Sequence, residues 1–217
     1  MKTKQERSEI FKLFQTGIKK KSAFEEGKQS LLALRAEFAS MYDFIFSVCN
    51  NEDFCKMPLS KEKTLAYYLY HTLRIEDIIA NSLIDNKPQI FFSQGYDILL
   101  KSPIITTGNE LVRDGLIDFS KKLDIGQLKN YVAAVMSNTN EIIQNMTFEE
   151  SKTKISAEKK ATLVESNVVS TNPGAFWLVD YWCGKTYAGL LLMPLSRHHM
   201  MHLDVGRLRV INKIVMR

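Results

Sequence analysis

Apolar positions recur at three- and four-residue steps through most of this chain, the spacing that gathers them on one face of an α-helix. Between 30 and 48 they are Leu31, Leu34, Phe38, Met41, Ile45 and Val48, which predicts a helix there. A second helix is predicted over 60–84, where Leu65, Tyr68, Ile75, Ile79 and Leu83 keep one face apolar. Ser60 is placed to cap its start and Asn86-Lys87-Pro88 to end it. A third runs over 125–145 through Leu128, Tyr131, Val135 and Ile142. The last region, 175–211, is apolar and mostly helical, and Pro194 must kink that helix or start a new one, because it has no backbone donor. The connections differ in character. Residues 87–122 mix Phe91, Phe92 and Tyr96 with Gly and Pro, whereas 146–173 are rich in Lys, Glu, Ser and Thr and read as a long crossover holding one short helix. With no alternating strand pattern and no internal repeat, the expected fold is all-α, a four-helix bundle with extra short helices in its long connections.

Composition narrows the class without changing this picture. The chain has 217 residues, 45% hydrophobic and 24% charged, the balance of a soluble globular protein. No apolar run approaches the ~18–20 residues of a spanning helix, and the start lacks the apolar core of a signal peptide. A membrane partner is therefore not expected, and the cytoplasm is the expected location. The net charge is +5, but residues 1–28 alone carry eight Lys and Arg against four Glu. This divides the chain into a basic N-terminal leader, 1–24, and a helical domain, 25–217. A nucleic-acid protein more often spreads its basic face over the folded body, so nucleic acid is not an expected partner, and Lys19-Lys20-Lys21 reads as solvated. Cys49, Cys55 and Cys183 have no framework spacing and read as reduced thiols. Gly184-Lys185-Thr186 mimics the tail of a phosphate-binding loop, but Val179 stands where the earlier glycine is required.

The four histidines carry the candidate chemistry. His198 and His202 are four apart, so on a helix they stack on one face with Cβ atoms about 5–6 Å apart and can converge on one ion. His199 points roughly 100° away and misses it. His71 shares the apolar face of the second helix with Tyr68 and Ile75, and so looks inward. Each piece has an ordinary reading too: a core histidine hydrogen-bonded to its neighbours for His71, a surface pair for His198 and His202. The Glu of an H-E-x-x-H zinc protease motif is missing. If the metal reading holds, three neutral imidazoles leave a divalent ion with an open position, the arrangement of a catalytic site. Glu76, Asp77, Asp180 and Asp204 are the acids able to support the ligands, with Glu76 and Asp77 read first as surface charges. Trp177, Trp182, Tyr67 and Tyr181 are read as cleft or core, and Arg197 as an anion contact or a surface cation.

One further likeness ties these pieces together. His71 followed by Leu73-Arg74-Ile75-Glu76-Asp77, and Trp177-Leu178-Val179-Asp180-Tyr181-Trp182 leading through Met193-Pro194 to Arg197-His198 and His202, resemble the DinB/YfiT-like family of metal-dependent bundle proteins over residues 25 to 210. The resemblance implies a four-helix bundle with a non-sequential helix arrangement and one divalent metal, zinc or nickel, held by His71, His198 and His202. It implies a metal-dependent enzyme that activates a thiol or water, with a low-molecular-weight thiol as co-substrate and a small molecule as substrate. The alternatives are a non-catalytic metal-binding stress-response or interaction protein of the same fold and, more distantly, a DNA-binding protein using the leader. A homodimer is the base-rate expectation for assembly. The basic leader and the long 87–122 segment are the chain's departures from the family pattern.

Overall fold

Side-chain caps fix where the helices of this chain begin. Thr3 closes a capping box with Glu6 at the head of α1 (Lys4–Gly17), Thr64 accepts from the Tyr67 N–H to open α4 (Leu65–Asp77), and Asp124 accepts from Gln127 to open α8 (Ile125–Asn145). The computed structural model describes residues 1–57 and 63–203 and is all-helical, with no strand among them. Between these three helices lie α2 (Phe24–Val48), the short α3 (Asn51–Cys55), α5 (Ile90–Ser93), α6 (Tyr96–Leu99) and α7 (Arg113–Lys122). After them come α9 (Phe148–Ser151), α10 (Ala157–Glu165), α11 (Pro173–Cys183), α12 (Tyr187–Leu192) and the brief α13 (His198–Met200). No helix of the described residues is long and apolar enough to cross a membrane.

The 125–145 helix has the expected bounds, and α2 buries Leu31, Leu34, Phe38, Met41 and Ile45 on the expected face. It starts six residues earlier than predicted, however. The added turns earn their place by packing: Lys28 is buried and its ammonium caps the end of α8 through the carbonyls of Gln144 and Met146, at 3.0 and 2.9 Å. In α4 every residue except Tyr68 is buried, so it has no solvent face at all. The predicted apolar stripe was only part of its contact surface. Ser60 lies outside the described residues; Thr64 is the cap that the structure shows. After Asp77 the helix widens into π-helical turns, Ile78–Asp85, and Asn86 ends it in the left-handed conformation.

The 175–211 region is not one helix. It divides into α11, α12 and α13, with a π-helical turn at Met193–Arg197 containing Pro194, and residues 204–211 lie outside the described set. Proline cannot donate into the helical ladder. Two residues on, the Ser196 hydroxyl donates to the Leu191 carbonyl at 2.6 Å. The 146–173 crossover holds two short helices, α9 and α10, where one was expected. Helix α2 packs against α1, α8 and the π turn, while α4 packs against α8 and the same turn.

The segment read as a leader places Phe11, Phe14 and Ile18 in the same core as α2, while Lys19, Lys20 and Lys21 are exposed. The crossing of α1 and α2 depends on two glycines. A Cβ on Gly17 would stand 2.7 Å from the Cα of Gly27, and one on Gly27 would stand 2.8 Å from the backbone N of Ile18. Backbone cannot yield as a flexible side chain does. Gly27→Ala is therefore expected to lower stability by about 1–3 kcal/mol, the range for overpacking. Urea unfolding followed by circular dichroism measures this, and an unchanged midpoint would show that the two helices separate at no cost.

Candidate metal centre

A helix buried on all sides must find a partner for each of its polar side chains, because an unpaired polar group in the interior costs about 1–3 kcal/mol. The partners found along α4 build the site. Glu76 faces α2, where Arg35 grips it with both terminal nitrogens, Nη2 to Oε1 at 2.6 Å and Nη1 to Oε2 at 3.2 Å. Asp77 faces the other way. Its carboxylate accepts from the backbone N–H groups of Ile90 and Phe91, from the Tyr131 hydroxyl and from Asn81. Arg74 donates to Asp77, to Gln89 and to the carbonyl of Ile105, with its guanidinium 4.0 Å above the Phe91 ring. Glu76 and Asp77 are thus interior groups, against the reading of both as surface charges, because each has a buried cation to answer it.

His71, one turn before Ile75, meets the loop that follows α6. Its Nδ1 donates to the carbonyl of Thr107 at 2.8 Å, which leaves Nε2 as the ring nitrogen that can ligate. Tyr70, beside it, donates to the Ile104 carbonyl, so three consecutive-turn residues of α4 pin this loop from below. The loop turns sharply at Gly108, where φ is +76° and a Cβ would press to 3.2 Å from the Tyr67 ring. That ring in turn stacks on His71, with centroids 5.2 Å apart and planes 10° from parallel.

From the opposite side, the Pro194 turn presents His198 and His202. Their Nε2 atoms are 2.9 Å apart, and both rings stand edge-on to His71 with centroids 5.2 and 5.3 Å away. One ligand nitrogen from each of His71, His198 and His202 lies within 4.8 Å of the others. Imidazoles on a tetrahedral zinc, at about 2.0–2.1 Å from the ion, would hold their nitrogens about 3.3 Å apart, so a 2.9 Å pair within a set no wider than 4.8 Å lies within reach of one ion. The donor set therefore fits a divalent ion. Beside it opens a cavity of about 320 Å³, walled by residues of α11 and the Pro194 turn, among them Leu178, Trp182, Met193 and Pro194.

The remaining candidates go elsewhere. His199 is fully buried: its Nδ1 accepts from the Tyr42 hydroxyl at 2.8 Å, its Nε2 faces Glu76 Oε2 at 2.6 Å, and its ring stacks on Phe38. Burial pushes its pKa below the ordinary histidine value although Glu76 pulls the other way. Asp180 is exposed and pairs with Lys160, Arg197 is exposed, and Asp204 lies outside the described residues. None of the described carboxylates proposed to support the ligands does so; the Thr107 carbonyl takes that role for His71. The cysteines are free, and burial raises the thiol pKa of Cys49 to about 11 and those of Cys55 and Cys183 above normal, so none is an activated nucleophile. Sequence reasoning missed Thr107 and Asn109, in the loop, and Arg35, on α2. Residues 87–122 were legible as a Gly- and Pro-containing connection, but nothing in it pointed at a histidine thirty-six residues before Thr107. No protein-family model and no curated protein matches this chain.

Acid stability reports on the base of the site. Burial alone would raise the Glu76 pKa, but Arg35 first and His199 next reverse this and hold it at about 2, below its ordinary 4.5. A depressed carboxylate stabilises the fold above its unfolded pKa and loses that contribution as pH falls through the folded value. Stability should therefore decline as pH drops from about 5 towards 2, and the decline should flatten in Glu76→Gln, which is also expected to be less stable at neutral pH by about 3–5 kcal/mol for the broken buried pair. Urea titrations of both proteins across this range test the point; parallel pH profiles would remove Glu76 from the account.

Proposed function

We propose that this chain is a metal-dependent enzyme of the DinB/YfiT-like type, using His71, His198 and His202 to hold one divalent ion, zinc or nickel, at the end of an apolar cavity. The convergence of these three residues from two distant segments carries the reading. The contacts of α2 and α4 with α8 and with the Pro194 turn support it, since a helical bundle of this type builds its site between facing helices. Bound there, a divalent ion supplies Lewis-acid chemistry, lowering the pKa of a water or thiol that joins the three imidazoles.

The protein's own contribution is orientation and exclusion of water. Thr107 fixes the tautomer and pitch of His71, and the stacked Tyr67 ring holds its plane. Arg35 anchors the other two ligands through the backbone, donating from Nη1 to the Leu195 carbonyl, three residues before His198, at 3.0 Å. His71, His198 and His202 would hold the ion as three neutral ligands, and such a set would leave it able to activate a small-molecule thiol or water. No cysteine of the chain is among the residues grouped at the site, so a reacting thiol is supplied by a separate low-molecular-weight molecule.

Elemental analysis after zinc or nickel reconstitution should find about one equivalent in the wild-type protein and almost none in His71→Ala or His198→Ala. Cobalt-loaded protein should then develop a thiolate-to-cobalt charge-transfer band with 2-mercaptoethanol, the signature of an open position. Metal-free protein after reconstitution would overturn the site, and a cobalt spectrum indifferent to the thiol would overturn the enzymatic reading.

A further inference from the structure

The cavity beside the histidines has an unusual lining for a site that handles small metabolites. Ile75, Leu178, Trp182, Met193, Pro194 and Met201 form its body, and Trp177 and Tyr181 stand at its aromatic edge. Among the described residues around it there is no Lys, Arg, Asp or Glu. Lys185 lies 4.0 Å above the Tyr181 ring and is not part of the lining. A charged group entering this space would lose its hydration with no oppositely charged side chain of the described lining to answer it.

Two details make the cavity a place for a ligand and not a simple gap in packing. Trp177 is 52% exposed at the mouth of the cavity, its indole N–H held by the Gly174 carbonyl at 3.0 Å, and its ring meets Tyr181 edge-on with centroids 5.7 Å apart. Asn109 is the neutral polar group of the wall. Its Oδ1 already accepts from the Thr107 hydroxyl at 2.7 Å, so what it offers to a ligand is its amide N–H donors. Thr107 thereby fixes two things at once, the His71 ring through its carbonyl and the Asn109 amide through its hydroxyl. A volume of about 320 Å³ is roughly twice the ~150 Å³ that holds one benzene ring.

The geometry points to an uncharged, largely apolar ligand of one to two rings, bearing a hydrogen-bond acceptor for Asn109, as the substrate class of this cavity. The inference rests on the reading of the three-histidine pocket as the working site, and it excludes the anionic metabolites that would need a lining cation. Trp177 and Tyr181 supply aromatic contact at the entrance, Trp182 and Leu178 close the floor, and Asn109 sets which end of the molecule turns towards the histidines.

The test uses two probes of the same shape, 4-fluoroacetophenone and 4-fluorobenzoate, titrated by fluorine NMR against the zinc-free full-length chain, so that the carboxylate cannot bind through the metal. The ketone should bind saturably and the carboxylate at least about tenfold more weakly. Trp177→Ala should weaken the ketone about 2- to 10-fold through lost aromatic contact, and Asn109→Asp by a similar factor through the lost donor, with circular dichroism checking that both variants are folded. Equal or tighter binding of the carboxylate, absence of saturable ketone binding, or indifference to both substitutions would overturn the inference. Zinc uptake is measured separately. Ketone binding without zinc uptake would remove the metal reading and leave the apolar pocket, whereas zinc uptake without ketone binding would do the reverse.

Discussion

One buried ion pair sets the relative positions of everything that meets at the histidines. Arg35 and Glu76 are both fully inaccessible, and their direct contact alone would not offset the cost of removing two charges from water. The guanidinium makes up the difference by using its remaining donors. Nε reaches Asn140 on α8 at 2.5 Å and Nη1 the Leu195 carbonyl in the Pro194 turn, while His199 closes on the far oxygen of Glu76. Four elements are thereby locked to one planar cation. A lysine could not do this, because it lacks a rigid fork of five donors. His71 lies five residues before Glu76 and His198 three after Leu195, so fixing these two points fixes the distance between the ligands.

The burial of α4 explains why its polar residues are spent in different directions. With no solvent face, it cannot follow the usual rule of one apolar stripe and one charged one. Successive residues serve separate neighbours: Arg74 and Asp77 hold the segment after the π-helical turns, Glu76 holds α2, and His71 holds the loop that carries Thr107. The π-helical stretches at Ile78–Asp85 and Met193–Arg197 belong to the same constraint, since each adds a widened turn where a regular helix would aim its next residues elsewhere.

The all-helical fold was legible because amphipathic spacing survives wherever a helix has a wet side, as in α2 and α8. It misled where that side was missing. Glu76 and Asp77 read as surface charges because a lone carboxylate in a helix almost always is one, and only the distant partners Arg35 and Tyr131 make them interior groups. The His198 and His202 pair was legible as a metal candidate from its four-residue step, and His71 from its neighbours on the apolar face. Thr107 was not, because a backbone carbonyl has no sequence signature: any residue could have supplied it. The division at Pro194 followed from its missing donor, but the widened turn at Met193–Arg197 and the bond from the Ser196 hydroxyl to the Leu191 carbonyl are not displayed by periodicity.

The same logic separates what holds the site from what defines its chemistry. Charge is concentrated beneath the histidines, where Arg35, Glu76 and His199 meet one another in the core. Above them, on the cavity side, the described lining is free of side-chain cations and carboxylates. A divalent ion between these layers would therefore be the dominant charge that a bound molecule meets, with low-dielectric walls around it to sharpen its effect. An acceptor held by Asn109 would set the molecule's orientation, while the apolar walls would set its size. Selectivity in such a site follows from what the walls refuse to solvate, and it is built by the same residues, Thr107 and the Pro194 turn, that bring the three imidazoles together.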